Sequence, residues 1–212
     1  MIVFRSATLA SPANDALLNV EGEFPTGSVS SIAGGTVYEG SLVFASILGL
    51  VRPLTGEVLV ERIIPAENSL EIRRRLTFVP SGAPLLGHLT AIEQVKYLAA
   101  LTNGEISRNQ VVDALRMCEV PDRLHRAQTS RLTLLQRFLV WLAASRVRAS
   151  TIFLVQDPTA GLTSRHTRLL AELIRENCGP TQTCIVSSRD PEFAARIADR
   201  AFRISQQQLE QR

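Results

Sequence analysis

Residues able to do metal, nucleophile or phosphate chemistry are sparse in this chain, and their spacing is informative. Cys118, Cys178 and Cys184 lie too far apart for metal-ligand spacing and are odd in number, so they read as reduced thiols of a reducing compartment. His88, His125 and His166 are as scattered, and each reads as a surface or capping histidine rather than part of a zinc site or a triad. Lys96 is the one lysine among 23 basic residues; the rest are arginines. Net charge is +3 with a pI near 9.1, yet the only basic cluster is Arg73-Arg74-Arg75. With 5% aromatic residues there is no platform for stacking bases. The basic residues read as a solvated face, and no nucleic-acid partner is expected.

The elements that must position any site follow from periodicity. At 212 residues, 45% hydrophobic and 20% charged, the composition is that of a folded globular domain. The longest apolar run, Ser41–Val51, falls short of the ~20 residues of a membrane span. Met1–Arg5 reads as a strand rather than a targeting segment, and a cytoplasmic protein is expected. Strands are expected at Ile2–Thr8, Leu17–Phe24, Gly27–Ala33, Gly56–Glu61, Leu76–Pro80, Thr151–Val155, Thr183–Ser187 and Ala201–Ile204. Helices are expected at Gly40–Leu50, from Thr90, and over Asn109–Cys118, Leu132–Arg146, Ser164–Asn177 and Pro191–Ile197. Thr90 and Glu93 form a capping-box pattern. The polar tail Gln206–Arg212 reads as exposed or weakly helical.

Five segments in this order resemble the nucleotide-binding domain of ABC transporters. They are Gly49–Val58 ("GL-x-x-P-x-x-G-E-V"), His88–Glu93 ("LT-x-x-E"), Gln136-Arg137 with Leu139–Ala144, Asp157–Leu162 ("EPTAGL") and Ile197–Arg200 ("ADR"). The resemblance spans nearly the whole chain. It implies an α/β fold: a P-loop NTPase-like core of the ABC-ATPase type, with an antiparallel β N-terminal part. A helical subdomain at about 82–148 is inserted in a single domain, 1–212.

The resemblance breaks where chemistry is expected. A phosphate loop has the form G-x-x-x-x-G-K-[ST], its amides cradling phosphates and its lysine neutralising them. The matching stretch runs from Gly34 and Gly35 to Glu39, Gly40 and Ser41, with Glu39 in the place of a glycine and Gly40 in that of the lysine. Lys96 lies on the helical insertion and is no substitute. Ser41 is a magnesium ligand in the sharp reading and an ordinary helix N-terminal serine in the favoured one. Gln156 takes the place of the metal-ordering aspartate, and Asp157 that of the glutamate that polarises water. Asp157 is either a general base or a turn residue before Pro158. Ser81 replaces the glutamine after Val79-Pro80, Arg189 the switch histidine, and Thr163 the aspartate expected after Leu162. The signature "LSGGQ" is matched to Ser130–Leu134, without glycines, and Ser11–Asp15 offers no adenine-stacking aromatic.

The sequence thus implies a domain with no catalytic residues, cofactor or metal: a scaffold or regulatory subunit of a membrane-associated assembly, such as transport or envelope and polysaccharide export. The second reading is a degenerate subunit of a heteromeric transporter, paired with an active ATPase; an unconventional NTPase using Arg189 is a distant third. A membrane or membrane-associated protein partner is expected, holding the domain at the inner face of the membrane, with any dimer not driven by ATP. The apolar loop Gly82–Gly87 reads equally as a docking surface or a buried turn, with Leu85, Leu86 and Ile92 as the candidate contacts.

Overall fold

The computed structural model describes residues 1–11, 16–100 and 106–211. Nine strands form one sheet in the order β4-β1-β2-β9-β8-β3-β7-β6-β5. Its N-terminal part is antiparallel: β1 (Ile2–Ser11) lies between β2 (Ala16–Phe24) and β4 (Thr55–Val60). Its centre is parallel, with β3 (Ser28–Gly34) flanked by β7 (Thr183–Ser188) and β8 (Arg200–Ser205). Beyond β7 come β6 (Ile152–Gln156) and β5 (Leu76–Val79), also parallel.

Both faces of the parallel strands are covered, which is why they read as continuous apolar runs. Alternation then sorts side chains between two cores. Ile152, Leu154 and Ile185 enter one, with Phe44 and Ile47 of helix α1 (Val37–Ile47) and the antiparallel strands. Phe153, Val155, Cys184 and Val186 enter the other. The second core is closed by α5 (Leu134–Arg148), α6 (Ser164–Asn177) and α7 (Pro191–Ile197). Helices α3 (Ala91–Ala99) and α4 (Arg108–Met117) pack on α5 and complete a helical subdomain. Among the described residues no helix is long and apolar enough to cross a membrane.

Two sequence expectations are corrected here, and a short helix is added. The triplet Arg73-Arg74-Arg75 ends an unassigned short helix, α2 (Ser69–Arg75); Arg73 and Arg74 are exposed, while Arg75 pairs with Glu61 at 2.9 Å and also with Glu71. His125 is a core residue, not a surface one: it is 4% exposed and its Nε2 lies 2.9 Å from the carbonyl of Val120. The polar tail is a strand, β9 (Gln208–Gln211), antiparallel to β8 and parallel to β2. Gln206 and Gln207 supply the two positive-φ positions of a tight hairpin. Leu209 drops into the core at 4% exposure.

Leu209→Ala is expected to cost about 3 kcal/mol, read as a lower urea midpoint with unchanged slope. The thiols give a second expectation. Burial pushes the Cys118 thiol up to about 12. Cys184 is pushed up by its hydrogen bond with Cys178 and by burial, whereas the same bond holds half-buried Cys178 below the usual thiol range. Ellman's reagent at pH 8 is expected to find one fast thiol, removed by Cys178→Ser, and three after denaturation.

Candidate functional site

The parallel strands deliver the singled-out residues to one edge. At the end of β3, Gly34 and Gly35 take φ of +80° and +67°. At Gly35 a side chain would be strained, because φ is left-handed and a Cβ would stand 2.5 Å from Ile204 Cγ2 unless that side chain shifted. The chain then enters α1 at Val37, three residues earlier than the sequence suggests. Thr36 is the N-cap, accepting from Glu39 N at 3.2 Å, while the Glu39 carboxylate accepts from Thr36 N at 2.6 Å. The early start has a physical cause: Thr36-x-x-Glu39 is a capping box. Glu39 accordingly does not stand in an open loop but folds back on it, 9% exposed.

Two residues further along α1, Ser41 Oγ accepts from Gln156 Nε2 at 2.8 Å across the end of β6. Next to Gln156, Asp157 adopts φ of +42° and donates its N–H to the Ser187 carbonyl at 2.8 Å. Its carboxylate, 15% exposed, pairs with Arg189 through Nη2 at 2.6 Å and Nε at 2.8 Å. Gly34, Thr36, Gly40, Gln156, Asp157 and Arg189 line a crevice of about 30 Å³, room for a water or two.

Magnesium and a triphosphate are what a P-loop fold ordinarily holds at this edge, and the residues present do not fit them. Magnesium takes oxygen ligands, usually one or two carboxylates; here an amide N–H points at the serine hydroxyl. Among the described residues no cluster of three or more His, Cys, Asp and Glu side chains forms. The chain's single lysine, Lys96, is on α3, and an acid stands on the first turn of α1.

Ser81 follows β5 at the same end of the parallel strands and is exposed there. Thr163 caps α6, accepting from His166 N at 3.4 Å. In the proposed docking loop, Leu86 is 39% exposed, but Leu85 is half-buried against the core and Ile92 is 9% exposed within it. Ile92 is thus no surface contact, since it is a buried member of α3 packed into the core. The loop itself is pinned: Gln94 accepts from Leu86 N at 2.9 Å, Thr129 donates to the Leu86 carbonyl at 2.7 Å, and Trp141 donates to the Pro84 carbonyl at 3.2 Å. In the stretch matched to the signature, Thr133 caps α5 in a box with Gln136, so Ser130–Leu134 runs from a short turn into the start of that helix. The stretch expected to lack an adenine-stacking aromatic lies, but for Ser11, outside the described residues.

The Gln156–Ser41 bond is testable. A double-mutant cycle of Ser41→Ala and Gln156→Ala should return a coupling of about 1 kcal/mol in urea unfolding. A value near zero would mean the two groups do not meet.

Comparison with known proteins places this edge in context. No protein-family model matches the chain. The ABC transporter ATP-binding protein MJ0796 of Methanocaldococcus jannaschii is 27% identical over 208 residues, 92% of this chain and 87% of that protein. The petrobactin import ATP-binding protein FpuD of Bacillus anthracis is 25% identical over 195 residues, 88% of this chain and 71% of its own. The solved dimer of MJ0796 in a post-hydrolysis state, bound to ADP and Pi, matches with a TM-score of 0.83 at 23% identity, over 100% of this chain and 98% of its own. A second dimeric MJ0796 structure gives 0.82 at 24% identity, covering 99% and 97%. These dimers overturn the expectation of pairing not driven by ATP: cassettes of this fold pair, and one does so with hydrolysis products bound. The chain therefore has the ABC-ATPase-type P-loop NTPase fold, and its sequence is similar, at 27% and 25% identity, to the ABC transporter ATP-binding protein MJ0796 and the petrobactin import ATP-binding protein FpuD.

Proposed function

We propose that this chain is a pseudo-ATPase: an ABC-type domain that neither binds nor hydrolyses nucleotide and serves as a scaffold or regulatory subunit of a membrane-associated assembly. The observation that carries the reading is the Gln156–Ser41 hydrogen bond. Where a hydrolase needs a carboxylate and a hydroxyl converging on magnesium, this chain has an amide and a hydroxyl satisfying each other. The Asp157–Arg189 ion pair supports it, since the one acid in a position to polarise water is committed to a cation. Two unit charges ~4 Å apart interact by several kcal/mol near a protein surface, so replacing a lysine by Gly40 beside Glu39 alters the loop's affinity for phosphate by a term of that size.

The names of its relatives favour a second reading. They are ATP-binding proteins of import and export systems, so a degenerate subunit paired with an active ATPase remains the competing function. Nucleotide binding separates the two. Calorimetric titration of the chain with millimolar ATP or GTP and magnesium is expected to be flat; a micromolar dissociation constant would return the chain to the second reading. In a restoration experiment, Glu39→Gly with Gly40→Lys should recover some binding but no turnover. Gln156, Ser81 and Arg189 stay wrong in that variant, and groups that act as a unit are not restored one at a time. Appreciable hydrolysis by the double variant would overturn the pseudo-ATPase assignment.

A further inference from the structure

Two thiols meet at the other end of the sheet. β7 ends at the edge described above, and Cys184 is the second residue at its start, in register with Val29 of β3 and Phe153 of β6. It is fully buried in the core that α6 closes. Cys178 is the C-cap of α6, half-buried and packed against the same core. Between them the chain turns back: Gln182 N donates to the Gly179 carbonyl at 3.0 Å, and Gln182 Nε2 anchors the turn to the Ser150 carbonyl at 2.7 Å. The turn brings the two sulfurs together. Cys184 donates to Cys178, whose own Sγ lies 3.8 Å from the Gln182 carbonyl. Arg175, on the last turn of α6, stands nearby and pairs with Asp199 at 3.0 Å. The third thiol is engaged elsewhere, with Cys118 Sγ 3.6 Å from Asn177 Oδ1.

We propose that Cys178 is an oxidation site for hydrogen peroxide and that Cys184 resolves it as an intramolecular disulfide. In the first step the Cys178 thiolate attacks one peroxide oxygen, the O–O bond breaks, and Cys178 becomes a sulfenic acid as hydroxide leaves. That hydroxide takes up the proton Cys178 released. In the second step the Cys184 sulfur attacks the Cys178 sulfur, the S–O bond breaks, and the departing hydroxide leaves as water with the Cys184 proton. Two thiols and one peroxide thus give one disulfide and two waters. The roles are not interchangeable. Cys178 is the more exposed, and its thiol is held below the usual range, chiefly by the hydrogen bond from Cys184 and further by Arg175, against burial and Asp199. Cys184 is sealed in the core, its thiol pushed up by the same bond and by burial, so oxidation reaches it through Cys178. The product ties the end of α6 to the start of β7.

The test uses the full chain, hydrogen peroxide at neutral pH, and mass spectrometry as readout. Cys178 and Cys184 share one tryptic peptide, residues 176–189. After treatment that peptide is expected to be about 2 Da lighter and to refuse alkylation in denaturant, while Cys118 alkylates normally. Dithiothreitol should return both thiols. Cys184→Ala is expected to stop at the sulfenic acid, captured at Cys178 by dimedone, and Cys178→Ala should give neither product. Should the alanine variant at position 184 fail to fold, the parent peptide alone settles the pairing. A parent peptide that keeps both thiols overturns the proposal, as does a disulfide through Cys118 or between two copies of the chain. So does a Cys178→Ala variant oxidised at Cys184 as fast as the parent. In urea, where the turn is lost, the peptide should close more slowly; equal speed would overturn the part assigned to the fold.

Discussion

Strands β3, β6 and β7 run parallel and side by side, buried on both faces, so their C-terminal ends must open onto one edge of the sheet. Every residue singled out at that edge is a consequence of this geometry. Glu39 and Ser41 arrive on the helix after β3, Gln156 and Asp157 end β6, and Arg189 follows β7. A fold of this kind cannot leave such an edge chemically empty, because polar groups turned inward from three loops must find partners. In this chain they find one another: amide with hydroxyl, carboxylate with guanidinium, carboxylate with backbone amide.

The balance of interactions at the edge explains why this is a stable arrangement. The Gln156–Ser41 bond is neutral and carries no large desolvation cost, unlike an aspartate left without a metal. Asp157 is mostly buried, yet Arg189 is 64% exposed and keeps its guanidinium hydrated. The pair therefore holds geometry more than it adds stability. Among the described residues Glu39 is the exception, a nearly buried acid in no ion pair, and it sits where the aligned peptide dipoles of α1 favour a negative group.

Much of this was legible in the residues. The Thr90–Glu93 box announces α3, the helices at Ser164–Asn177 and Pro191–Ile197 fall where the sequence pattern puts them, and the apolar runs name the buried strands. The same code stands at Thr36-x-x-Glu39, inside a stretch whose glycines resemble a phosphate loop, and it sets the start of α1 at Val37. Partners distant in sequence were not legible: Gln156 and Ser41 are 115 residues apart, and only the sheet brings them together. β9 escaped notice because one leucine among polar residues shows no alternation. Its strand state comes from a slot between β2 and β8, which is tertiary context. Ile92 was misjudged because a helical stripe gives spacing but not which neighbour covers it.

The box at Thr36 and Glu39 has a consequence for the order in which the molecule assembles. Its two partners are three residues apart, so closing it costs little chain entropy. A glycine-rich loop shaped for a bound ion would stay loose until the ion arrived. Here the first turn of α1 carries its own start signal and can form while β6 and β7, more than a hundred residues downstream, are still being synthesised. An isolated helix this short is marginal in water, so the later strands still supply its stability, but they meet a turn whose start is already chosen locally.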